Sequence, residues 1–147
     1  MKNILITLGF LLGVISLSAQ SYEGKADSKF NLGYEAYGFG NGVKATYDYG
    51  LSNLFSIGAG GSVYFDNEEN DYFLYARTQV HLGIAFDLPC KFDIYPGIEL
   101  GYLSSEKVAI AGYVGFRYFI TEKVGLFAEL GNNGALGLSF NVYTKAC

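Results

Sequence analysis

The stretch 116–131, FRYFITEKVGLFAELG, carries two patterns that conflict in an ordinary soluble core. Phe, Tyr, Val and Leu crowd it as they do a buried strand, yet Arg117 and Glu129 lie inside the apolar runs. An unpaired charge in apolar surroundings is strongly unfavourable. Alternation resolves the conflict, because successive strand side chains point to opposite faces of a sheet. Phe116, Tyr118, Ile120, Val124, Leu126, Ala128 and Leu130 then share one face. Arg117, Phe127 and Glu129 share the other with Gly115 and Gly125, and Thr121–Lys123 is the wet turn between two strands.

The same period recurs along the chain. In 72–86 the even positions (Tyr72, Leu74, Ala76, Val80, Leu82, Ile84, Phe86) are apolar apart from Thr78. The odd positions include Arg77, Gln79 and His81. Phe92, Ile94, Ile98, Leu100 and Tyr102 alternate with Asp93, Tyr95, Gly97, Glu99 and Gly101, and Leu136, Leu138, Phe140 and Val142 with Gly137, Ser139 and Asn141. The clusters GFGNG, GLSN, DNEEND, DLPCK, SSEK, TEK and GNNG punctuate these runs as turns. They predict eight strands over 29–37, 43–49, 55–65, 72–86, 92–103, 108–119, 124–131 and 135–143.

The mixed face decides which way round the sheet closes. It is poor in charge for a water-facing surface and rich in glycine (Gly33, Gly58, Gly60, Gly83, Gly97, Gly101, Gly115, Gly125, Gly137). Small residues suit a cramped lumen, and a continuous face of large apolar residues suits lipid. Eight closed strands leave an interior just wide enough for side chains to fill. In hydrocarbon, closure also pairs every backbone N–H and C=O. The predicted fold is therefore all-β, an eight-stranded antiparallel transmembrane β-barrel with its apolar face outward. A soluble exported lipocalin-like barrel binding a small apolar ligand shares the alternation and is the second reading; a narrow channel is the third.

Composition agrees. Half of the 147 residues are apolar, 17% are aromatic and 16% are charged. The net charge of −4, with no basic run, argues against nucleic acid as a partner. Lys2, the apolar run 4–17 and the small Ala19 read as a secretory signal peptide over 1–19, with the barrel domain over 20–147. The run is short for a spanning helix. With the N-terminus periplasmic, the connections at 50–54, 87–91 and 121–123 lie on that side, and those at 38–42, 66–71, 104–107 and 131–134 lie outside.

The signal peptide, the eight alternating strands and hairpins such as YFITEKVGLFAELG and YDYGLSNLFSIGAGG together resemble the small eight-stranded outer-membrane β-barrel proteins of Gram-negative-type envelopes. The resemblance implies insertion in the cell outer membrane, outer-membrane lipid and the barrel-assembly machinery as partners, and a monomer. Many such proteins end in an aromatic residue that the machinery reads. This chain ends FNVYTKAC, so Phe140 or Tyr143 would serve. The family implies no single activity.

Candidate inward charges are Lys29, Glu35, Lys44, Asp48, Arg77, Asp93, Glu99, Arg117 and Glu129, with His81. Their near-balance in a narrow barrel reads as a paired lumen network that fills and stiffens it. The turn at 121–123 sets Arg117 opposite Phe127 with Glu129 on the diagonal. A loop at 87–91 sets Arg77 opposite Gly101 with Glu99 on the diagonal. A single histidine precludes a multi-histidine metal site, and no metal or cofactor is expected. Asp66, Glu68, Glu69 and Asp71 form an acidic external loop, read as solvated because its spacing does not match the twelve-residue calcium loop. Cys90 and Cys147 fall on the same side but on opposite walls, so only a folded-under tail could join them. One histidine and no G-x-S-x-G elbow leave no nucleophilic triad, although Ser62, Ser139 and His81 could all face the lumen. The chain is expected to be non-enzymatic, with a structural or surface-interaction role.

Overall fold

The computed structural model describes residues 21–65, 71–105 and 107–143. Eight strands follow one another: β1 (Ser28–Tyr37), β2 (Gly42–Gly50), β3 (Phe55–Tyr64), β4 (Tyr72–Val80), β5 (Phe92–Leu103), β6 (Lys107–Phe119), β7 (Val124–Gly131) and β8 (Gly134–Tyr143). Each pairs antiparallel with the next, and β8 returns to β1, so the sheet closes into a barrel without an edge. Closure leaves no row of unpaired backbone groups for another chain to extend.

The barrel is inverted relative to a soluble one. Along β4, Leu74 is 57% exposed while Phe73, Tyr75, Arg77 and Gln79 are buried. In the β6–β7 hairpin Phe116, Tyr118, Leu126 and Leu130 point out, and Arg117, Phe119, Phe127 and Glu129 point in. Arg117 pairs with Phe127 and Phe119 with Gly125, the register that the Thr121–Lys123 turn dictates.

The interior is tight enough that large rings need glycine beside them. Tyr95 pairs with Gly115 across β5 and β6, and a methyl group at Gly115 would overlap the Tyr95 ring. Phe127 likewise pairs with Gly137 and packs over Gly33. The alternating glycines of the mixed face are the space into which inward aromatic rings fit.

One boundary differs from expectation. The fourth strand ends at Val80, not at 86, because the chain turns over 83–87. Phe86 N–H donates to Leu82 O (3.0 Å), Leu88 N–H donates to Gly83 O (2.8 Å), and Asp87 takes φ 50°. Ile84 and Phe86 are exposed at the rim, 46% and 64%, so they prolong the apolar pattern without belonging to the sheet. The longer connection moves the β4–β5 register. Arg77 stands directly opposite Glu99, and Tyr75, not Arg77, faces Gly101.

Both ends of the lumen are stoppered. At one end Tyr64, Phe73, Tyr75, Leu103 and Ala109 form an apolar cluster, capped by Phe39 from the β1–β2 connection. Phe39 meets Phe73 edge-on at 5.1 Å. At the other end the segment 21–27 folds beneath the barrel. Ser21 N–H donates to Cys90 O (2.6 Å), Ala26 N–H to Gly50 O (2.9 Å) and Gly50 N–H to Asp27 O (2.7 Å).

Candidate functional site: the lumen and its N-terminal mouth

The middle of the lumen is built from charge. Arg77, on β4, reaches Asp48 on β2 through Nε (3.0 Å), Glu99 on β5 (3.3 Å) and Glu129 on β7 (2.6 Å). Lys44, on β2, reaches Glu99 and Glu129, both at 3.0 Å, and Glu35 on β1 at 3.4 Å. Each of these side chains is 5% exposed or less. Two cations, on β2 and β4, thus bind carboxylates from β1, β2, β5 and β7. Tyr95 adds a hydroxyl donor to Glu129 at 3.3 Å. The space beside Lys44, Glu99, Tyr113 and Glu129 has no room for a water molecule.

Arg117 does not pair with its diagonal neighbour Glu129, which Arg77 and Lys44 bind instead. Its guanidinium lies over the Tyr95 ring at 4.4 Å and approaches Asp48 and the Asn31 side-chain oxygen, both at 3.4 Å. Nε and Nη1 of Arg117 make no hydrogen bond. Lys29 pairs with Asp27 and stands 5.3 Å from the Phe119 ring centre.

His81 lies just past the end of β4, at the N-terminal mouth, and carries a second arrangement. Its Nδ1 meets Asp93 Oδ2 at 2.5 Å, and its Nε2 meets Ser56 Oγ at 2.7 Å. The other oxygen of Asp93 accepts Gly83 N–H at 3.0 Å. The Tyr22 ring lies flat on the imidazole, with centroids 3.5 Å apart and planes 7° apart. The Tyr22 hydroxyl donates to backbone oxygen at the β2–β3 turn, where Ser52 O is 2.5 Å away and Phe55 O 2.9 Å. Burial pushes the His81 imidazole below its ordinary value, against the opposing pull of Asp93. Contrary to the reading of the sequence, a serine, the histidine and an aspartate do meet in one hydrogen-bonded series. Ser56 is the partner that reading missed, and Ser62 and Ser139 lie elsewhere in the lumen. Alternation alone places Ser56, His81 and Asp93 inward, and the β3–β4 register, with Ser56 opposite Gln79, brings His81 to the diagonal.

Of the acidic loop, Asp66, Glu68 and Glu69 lie outside the described residues. Asp71 accepts from Ser104 Oγ at 3.0 Å, tying the third connection to the fifth. Among the described residues no group of three or more His, Cys, Asp or Glu side chains is placed to hold a metal ion. Cys90 is disulfide-bonded, although the placement of the two cysteines on opposite walls argued against a bridge. Cys147 lies outside the described residues.

Comparison with solved structures places the fold. A de novo designed transmembrane β-barrel superposes with TM-score 0.67 at 17% identity, covering 82% of this chain and 98% of the design. The N-terminal β-barrel domain of Pseudomonas aeruginosa OprF gives TM-score 0.59 at 14% identity, with 81% and 99% covered. The Yersinia pestis outer membrane protein Ail gives 0.51 at 10% identity, with 80% and 99% covered. The fold is that of these eight-stranded outer-membrane-type barrels. Comparison with curated proteins found no match. A family model described as a family of unknown function, DUF6646, matches residues 11–136, and the chain belongs to that family.

Proposed function

We propose that the chain is an integral outer-membrane barrel that is exported by the segment 1–19 and serves a structural or surface-interaction role in the envelope. The observation that carries this reading is the distribution of polarity across one sheet. Phe30, Leu32, Leu74, Leu100, Ile110 and Leu136 are 39% to 66% exposed, whereas Arg77, Glu99, Arg117 and Glu129 are 3% exposed or less. In water this arrangement would expose a continuous apolar wall; in a bilayer it puts apolar groups against lipid and pairs the charges inside. A lipocalin-like carrier would need the opposite faces and an apolar cavity where the charged network stands. The network and the two stoppers also argue for a barrel that does not conduct ions. The mouth at 21–27 is assigned to the periplasmic side, with Phe55, Phe92 and Tyr118 in its aromatic belt and Tyr34, Tyr72 and Tyr102 in the outer one.

Cell fractionation with gel migration before and after boiling tests the assignment. The protein should be in the outer-membrane fraction and run as a compact, heat-modifiable band. Recovery in the aqueous periplasmic fraction without detergent would overturn it. In planar bilayers the purified barrel should give no sustained conductance.

A further inference from the structure

We propose that Ser56, His81 and Asp93 form a latent nucleophilic serine site for short acyl esters, shielded in the resting barrel by Tyr22. This goes beyond the envelope role and does not depend on it.

The three side chains occupy the order that serine activation requires: nucleophile, base and orienting carboxylate. Asp93, fixed by Gly83 N–H at 3.0 Å, accepts the Nδ1 proton of His81 and so leaves Nε2 free to accept from Ser56. That tautomer is the one in which imidazole can take the hydroxyl proton. Gln79, in the orientation that satisfies both of its amide atoms, turns its nitrogen to Ser56 Oγ at 3.3 Å and its oxygen to the Tyr113 hydroxyl at 2.9 Å. The serine proton is then committed to His81, because the Gln79 amide donates to Ser56 Oγ and does not accept from it.

Access is the missing element. Ser56 and His81 are each 1% exposed, and the Tyr22 ring covers the imidazole face. Tyr22 also lines a cleft of about 220 Å³, together with Gly83, Ile84, Asp87, Phe92 and Asp93. Tyr22 and Asp93 are common to the cleft and to the His81 contacts, so withdrawal of one ring joins the cleft to the imidazole. Its size fits a short acyl chain, with Ile84, Leu88 and Phe92 as the apolar part of a wall that also carries Asp87 and Asp93. Tyr22 belongs to the segment 21–27 and not to the sheet, so it can leave without breaking a strand.

With the ring withdrawn, Ser56 Oγ attacks the ester carbonyl carbon as its proton passes to His81 Nε2. The carbon–oxygen bond to the alcohol breaks, and the alcohol departs with that proton. Water then attacks the acyl-Ser56 carbonyl, giving a proton to His81, which returns it to Ser56 as the carboxylic acid leaves. The net reaction is ester hydrolysis and needs no further reactant.

The test uses the full mature chain in detergent micelles with a fluorophosphonate probe and p-nitrophenyl butyrate. The ring stack and the one hydroxyl proton that Tyr22 shares between Ser52 O and Phe55 O lead us to expect Tyr22→Ala to label roughly ten- to hundredfold faster than wild type. The adduct should map to Ser56, labelling should vanish in Tyr22→Ala/Ser56→Ala, and ester hydrolysis should follow the same order. Heat-modifiable migration reports folding of each variant, and Tyr22→Leu serves if Tyr22→Ala does not fold. Wild type, incubated for days, gives a third reading through spontaneous opening, with a slow Ser56 adduct expected. Labelling confined to other residues, or none at Ser56 in wild type and in whichever variant folds, overturns the proposal.

Discussion

Replacing Arg77 by leucine removes the cation that ties Asp48, Glu99 and Glu129 together, at 3.0, 3.3 and 2.6 Å. All four side chains are nearly inaccessible, so no bulk water takes the place of the guanidinium. Lys44 still holds Glu99 and Glu129 at 3.0 Å. Asp48 keeps the 3.4 Å approach of Arg117 and a hydrogen bond from Asn31 at 2.8 Å. Stripping one partner from a buried ion pair costs about 3–5 kcal/mol. The remaining contacts of Lys44 and Asn31 place the expected loss near the lower end, about 3 kcal/mol. Urea unfolding in detergent micelles, read by the fraction of compact band on unboiled gels, measures it. Arg77→Leu/Glu129→Leu removes one carboxylate along with the cation, and should recover at least about 1 kcal/mol of the loss. A single-variant loss below about 1 kcal/mol, or a double variant no better than the single, would refute the view that cross-lumen pairing holds these charges.

Arg117→Leu should be milder than Arg77→Leu, at about 1–2 kcal/mol, because two of its nitrogens make no hydrogen bond and its carboxylate contact is long. Tyr118→Leu, on the outward face of the next residue, should change the same midpoint by under about 0.5 kcal/mol; equal effects of the two would contradict the face assignment. Gly115→Val should destabilise by about 1–3 kcal/mol through overlap with Tyr95, and Tyr95→Ala in the same chain should relieve part of that loss. Under denaturing conditions Cys90 should resist alkylation until a reductant is added, as intact mass would show; ready alkylation without one would contradict the bond.

Much of the fold was legible because alternation is a local property. The β6–β7 hairpin could be registered from its own turn, and the structure pairs Arg117 with Phe127 as that turn requires. The end of β4 was not legible. Leu82, Ile84 and Phe86 keep the apolar rhythm of the strand while sitting at the rim, where lipid-facing and sheet-borne residues share one composition. That error displaced the β4–β5 register by two residues. It hid the direct pairing of Arg77 with Glu99 and the approach of Asp93 to His81. Contacts across the lumen, such as Arg77 to Glu129, depend on which walls face one another once the sheet closes, and no local pattern states that. The part played by Tyr22 was also out of reach, since the segment that carries it precedes the first strand and has no period of its own.

The direct pairing of Arg77 with Glu99 bears on how the barrel finds its register. A slip of β5 against β4 by one residue carries every side chain of that strand to the opposite face. Glu99 would then point into hydrocarbon, and Ile98 and Leu100 into the lumen. On the lipid face of a barrel a charge at the bilayer midplane is unfavourable, by about 2–4 kcal/mol for Arg or Lys and by less for a glutamate. The same slip would leave Arg77 and Lys44 short of a counter-charge. Each inward ionic residue therefore also acts as a proofreader of strand alignment, penalising misassembled barrels as well as stabilising the correct one.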